Sequence, residues 1–158
     1  MGFFSRIFRW NEFATESQPP SQRASEMGID AKTAQAVLDE LDIDTAISAH
    51  ENWSTRLAAV IRGTSDETLQ PEVVCRDDQC DLGHWLHGPG RERLGKYPAF
   101  SILITRHEHF HIEASKVLSL AQSGETEKAE RKLQSGYRHA STQVVLLLKE
   151  MRRGLRGH

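Results

Sequence analysis

From Asp30 onward apolar residues recur every three or four positions, and no stretch shows the sustained period-two alternation of a half-buried strand. DAKTAQAVLDEL predicts a short helix with Asp30 as its N-cap. A longer helix follows in DIDTAISAHENWSTRLAAVIRG, where Ile43, Ala46, Ile47, His50, Trp53, Leu57, Val60 and Ile61 share one face and Gly63 supplies a stop. TSDETLQPEVVCRDDQ reads as a long connection. In YPAFSILITRHEHFHIEASKVLSLAQSG the stripe runs through Phe100, Leu103, Ile104, His107, His111, Ala114, Val117 and Leu118, and it stops at Ser123-Gly124. A last helix from about Glu125 carries Ala129, Leu133, Tyr137, Ala140, Val144, Leu147, Leu148 and Met151. These elements predict an all-α fold. It is an antiparallel four-helix bundle with a short extra N-terminal helix, occupying residues 31–158.

The first thirty residues break this pattern and form a tail and linker. NEFATESQPPSQRASEMG is polar with paired prolines, the composition of a linker. MGFFSRIFRW is aromatic and basic, which suits either a short amphipathic contact with a membrane or partner, or a frayed terminus.

Histidines stand where the apolar stripes should be continuous. His50 is flanked by Ala46, Ile47, Trp53 and Leu57, while His107 and His111 are four apart on one face of the later helix. His109 falls two residues off that stripe and is expected to face outward, and His139 is offset from the line of the last helix. Each buried imidazole left unpaired would cost about 1–3 kcal/mol. A single inward histidine is ordinarily a satisfied core residue, but three in one core call for a common partner, and a metal ion is the economical one.

CDLGHWLHG, residues 80–88, supplies the missing thiol. Gly83 lets the chain bend against the bundle, with Leu82 and Trp85 as apolar pegs, so Cys80 is placed as a fourth ligand. One thiolate and three neutral imidazoles form a sensible zinc set, and a soft thiolate discriminates against magnesium and calcium. The expected site is therefore His50, Cys80, His107 and His111, holding one Zn²⁺ per chain. Trp53 and Trp85 read as packing that keeps the site dry, His84 and His87 as solvated, and Cys75 as a small apolar residue or a resolving thiol for Cys80.

Bulk properties exclude more than they select. Net charge is −2 with a pI near 6.4, so nothing points to nucleic acid. No apolar run approaches the roughly 20 residues that span a bilayer. Two cysteines are too few for a disulfide framework, and a reducing, cytoplasmic setting is expected.

Three short elements carry a resemblance: HENW from His50 to Trp53, CDLGHW from Cys80 to Trp85, and HEHFH from His107 to His111. In this order and spacing they resemble the chemoreceptor zinc-binding (CZB) domain family, over roughly residues 40–120 with the last helix fitting the bundle. The resemblance implies a four-helix bundle with one zinc on His50, Cys80, His107 and His111. It also implies a cytoplasmic regulatory domain that forms homodimers and acts on a chemoreceptor or diguanylate cyclase-type signalling protein. Family members respond to zinc or to hypochlorous acid. Here the domain is expected to stand alone, since no output module follows the bundle.

Three other readings remain at this stage. HEHFH also satisfies the letters H-E-x-x-H, with Glu108 as the would-be general base of a zinc-dependent hydrolase. The zinc could instead be purely structural. A di-iron bundle would want more inward carboxylates and histidines, and no thiolate.

Overall fold

The structure, a computed structural model, describes residues 29–157, and among them all regular structure is helical. The amphipathic segment proposed near the N-terminus and the linker after it, residues 1–28, lie outside the described residues. α1 (Ala31–Glu40) starts at Asp30, whose carboxylate accepts from Thr33 N–H at 2.8 Å. Asp42 repeats the device for α2 (Ile43–Arg62), accepting from Thr45 N–H at 2.9 Å. α2 ends at Gly63 with φ 67°, the left-handed stop that its sequence predicts.

α6 (Pro98–Gln122) opens on a proline, which loses nothing at a helix start because that N–H has no intrahelical partner. After the turn at residues 123–125 the chain re-enters as α7 (Thr126–Lys132). It passes through a π-helical segment, Leu133–Tyr137, into α8 (Arg138–Leu155). The predicted last helix is thus continuous but carries a wide turn. Every apolar position assigned to its stripe is buried.

Two sets of contacts fix the directions of the long helices. Asp44 at the start of α2 pairs with Arg152 and Arg156 at the far end of α8, and Glu51 meets Lys149 at 3.2 Å, so α8 runs against α2. A three-residue turn makes α7 run against α6, and Glu113 of α6 meets Lys132 at 2.9 Å. α2 and α6 are therefore parallel to each other. The chain between them must return the length of α2, roughly 30 Å for 20 residues at 1.5 Å each.

That return leg is where structure and sequence differ. The long connection, residues 64–79, holds α3 (Pro71–Val74) and a 3-10 turn (Asp77–Gln79), and the segment after it forms α4 (Asp81–His87) and α5 (Pro89–Leu94). The arrangement is compatible with the expected four-helix bundle, with broken pieces on one side in place of a continuous rod. Pieces of four to seven residues are too short for a 3.6-residue period to show in the sequence. Among the described residues no helix is long and apolar enough to cross a membrane.

Gly83 sets how closely the return leg folds on itself. A Cβ there would stand 1.7 Å from the carbonyl oxygen of Asp77, a backbone atom that cannot swing away. Gly63, by contrast, faces open space, and only its positive φ favours glycine. Gly83→Ala should destabilise the fold by about 3 kcal/mol or more, and Gly63→Ala by only about 1–2 kcal/mol. Urea unfolding of the two variants, read by circular dichroism, checks the ranking. Equal losses would mean that the turn can move off α4.

Candidate metal centre

The two imidazoles of α6 lie one turn apart, as a spacing of four requires, and His50 faces them from α2. His107 Nε2 lies 3.1 Å from His50 Nε2 and 3.1 Å from His111 Nε2. Cys80 caps the N-terminus of α4, with Sγ accepting from Gly83 N–H at 3.3 Å. The same sulfur is 3.3 Å from His107 Nε2 and 3.6 Å from His111 Nε2. One ligand atom from each of His50, Cys80, His107 and His111 falls within 4.8 Å of all the others. The structure thus brings together all four residues that the sequence singled out.

The protons can be placed by elimination. His50 Nδ1 lies 2.7 Å from the carbonyl oxygen of Ala46, and His111 Nδ1 lies 2.9 Å from that of Val74. A carbonyl only accepts, so both Nδ1 atoms carry the proton and both Nε2 atoms present bare lone pairs. His107 Nδ1 is buried and makes no hydrogen bond, and Asp77 Oδ2 stands 3.6 Å away. Were that nitrogen unprotonated, its lone pair would face a carboxylate oxygen, so the proton belongs on Nδ1 here too. Three bare nitrogens and a sulfur then face one point.

Burial drives every member of the cluster towards its neutral form. It pushes His50 down to about 4, against the opposing pull of the Ala46 hydrogen bond. His107 is lowered by burial first and then by the neighbouring His111 and His50, and His111 is lowered chiefly by burial. Burial raises the Cys80 thiol, with the Gly83 and Leu82 N–H groups working the other way. Protons therefore do not neutralise the clash of lone pairs. A soft divalent cation does, by accepting all four pairs and favouring the thiolate. The donor set and its protonation fit a zinc ion.

Apolar packing holds the rings. Phe110 lies 5.0 Å from His50 and 5.3 Å from His111, centroid to centroid, and touches Tyr137 of the π segment on its other side at 5.6 Å. Phe110, rather than either tryptophan, is the aromatic wall of the site. Trp85 is buried against Phe100, and its Nε1 donates to Glu40 of α1 at 3.4 Å. Trp53 is half-buried, with the Arg56 guanidinium 3.9 Å above its ring.

The remaining candidates lie outside the cluster. Glu108 and His109 are on the exposed side of α6, and His84 and His139 are also exposed. Cys75 is half-buried, with its thiol donating to the Glu72 carbonyl at 3.4 Å. His87 is not merely solvated, because it is 2.7 Å from Asp77. Sequence reasoning missed Asp77 and the Val74 carbonyl. Nothing distinguishes one acid among several near Cys80, and a backbone acceptor leaves no mark on the sequence.

A family model described as "Chemoreceptor zinc-binding domain" matches residues 50–118. Comparison with curated proteins and with solved structures gives no match. The matched span starts at His50 and contains the other three members of the cluster, Cys80, His107 and His111. Residues 50–118, which carry the three imidazoles and the thiol that converge in the structure, are similar to the chemoreceptor zinc-binding domain family.

Proposed function

We propose that this protein is a zinc-binding regulatory domain holding one ion per chain through His50, Cys80, His107 and His111. One observation carries the reading: the Nε2 atoms of three buried imidazoles converge on the Cys80 thiol, and Nδ1 of His50 and of His111 is turned to a backbone carbonyl. Bound zinc supplies a positive charge that stabilises the thiolate and crosslinks α2, α4 and α6. Four protein donors complete a tetrahedron, whereas a hydrolytic zinc keeps a place for water. The exposed position of Glu108 supports the same side of that choice.

A closed site regulates by changing its occupancy. Zinc availability sets the fraction loaded, and oxidation of the thiolate lowers it. Hypochlorous acid transfers oxygen to the Cys80 thiolate and leaves as chloride, and the sulfenic acid so formed is a poorer ligand. The output is read by a partner, either a second copy of the chain or a chemoreceptor or diguanylate cyclase-type protein in the cytoplasm. Support for these partners comes from the family resemblance.

Purified protein should carry about one zinc per chain. His107→Ala and Cys80→Ser should each bind it at least tenfold more weakly in a chelator competition. Hypochlorous acid should release zinc in step with loss of the Cys80 thiol, and Cys75→Ser should release it to the same extent. Zinc retained by the oxidised parent would end the redox mechanism and leave zinc-level sensing or a structural role. Absence of zinc from the parent would end the metal reading itself.

A second outcome concerns pH. The cluster imidazoles have lower pKa values folded than the roughly 6.5 of an unfolded histidine, so the two states differ only below that value. There the unfolded chain takes up protons that the folded chain refuses. The zinc-free protein should therefore keep full stability above about pH 6.5 and lose it progressively towards pH 4. Zinc affinity should fall over the same range, since protons compete for the same lone pairs. Urea midpoints at several pH values, with and without zinc, test both statements. Midpoints flat across this interval would contradict the burial argument.

A further inference from the structure

We propose that Asp77, itself held by His87, is the positioning residue of the metal centre, fixing the ring and proton of His107 from the side away from the ion. The inference rests on the zinc reading and adds to it a carboxylate and a surface imidazole that belong to no ligand set.

The asymmetry of the three imidazoles points to it. His50 and His111 each anchor Nδ1 on a main-chain carbonyl, Ala46 and Val74. His107 is the most enclosed of the three, with no side-chain exposure, and its Nδ1 has no carbonyl to bond. A ligating imidazole normally donates its other N–H to a carboxylate, a carbonyl or a water, which sets its tautomer and raises its basicity. Asp77 Oδ2, at 3.6 Å, is the acidic oxygen facing that nitrogen. A shift of about 0.7 Å would bring it to an ordinary 2.9 Å hydrogen bond.

Asp77 is held close to His107 by its backbone and by its side chain. Its backbone carbonyl lies against Gly83, so the 3-10 turn that carries it is locked to the helix that carries Cys80. Its Oδ2 accepts from His87 Nε2–H at 2.7 Å. Side-chain exposure rises from 0% at His107 to 17% at Asp77 and 33% at His87. One carboxylate oxygen thus links the buried ligand to an imidazole at the protein surface. Charge supports the assignment as well: Zn²⁺ with one thiolate carries +1, and the Asp77 carboxylate brings the enclosed group to zero.

The test uses the full chain loaded with zinc. Chelator competition gives affinities for the parent, Asp77→Ala, Asp77→Asn and His87→Gln, and ¹⁵N spectra of the ring nitrogens report the tautomers. Asp77→Ala should weaken zinc binding 10–100-fold. Asp77→Asn should lose less, because its amide oxygen still accepts, and His87→Gln should lose the least. In the loaded parent, His107 should show a protected Nδ1–H resonance that shifts in Asp77→Ala while those of His50 and His111 stay in place. A purely structural role for Asp77 would not move a single ring in this way. Parental affinity in Asp77→Ala, or an unmoved His107 resonance, overturns the inference and leaves the zinc reading standing. A parent chain that takes up no zinc overturns both.

Discussion

Three buried imidazole nitrogens and a part-buried thiol sulfur lie within 4.8 Å of one another, with four of the pairs at 3.1–3.6 Å. Each Nδ1 proton is directed away from the meeting point, so the Nε2 atoms have no proton to share. Protonating a ring would relieve the repulsion only by placing a cation where burial opposes it. A metal ion among the four would relieve the repulsion by accepting all four lone pairs. The apolar stripes of α2 and α6 are broken at His50, His107 and His111, where these helices meet Cys80 at the start of α4.

Meeting the constraint takes more than two helices. Antiparallel packing on α7 and α8 makes α2 and α6 parallel, so the segment between them must travel back along the bundle. On the way it delivers the sulfur. The Val74 carbonyl holds His111, Asp77 faces His107, and Cys80 reaches the cluster from the N-terminus of α4. Gly83 lets the 3-10 turn stack on α4, since any side chain there would strike the Asp77 backbone. The return leg acts as the third wall of the site as well as a connection.

How much of this was legible follows from the length and kind of each signal. Long amphipathic helices declare themselves by repetition, so α2, α6 and the Thr126–Leu155 run were readable almost residue by residue. The four clustered residues were readable because histidines interrupt apolar stripes and because the three short elements around His50, Cys80 and His107–His111 stand in a recognisable order and spacing. The helical character of 71–94 was hidden, since none of its pieces completes two full helical turns. Asp77 and Phe110 were hidden for another reason. A carboxylate near a thiol and a phenylalanine on a core helix are ordinary in sequence, and only the fold shows which imidazole each one touches.

The same lengths decide where a change at the site would be felt. Isolated helices shorter than about 12–15 residues are marginal in water, so α3, α4 and α5 depend on what they pack against. The long helices are in a different position. Leu57, Leu103, Phe110, Val117, Leu118, Val144 and Leu148 are fully buried among α2, α6 and α8 whatever the state of the thiol. Apparent zinc binding energies of about 10–16 kcal/mol in small structural sites are as large as the whole stability of a typical domain. Withdrawing the sulfur from such a site therefore weighs most on the element with the least packing of its own, the 71–94 leg. The Asp77–His87 link and the exposed Val73 lie on that leg, so a change at Cys80 has a short route to the surface that leaves the core of the bundle in place.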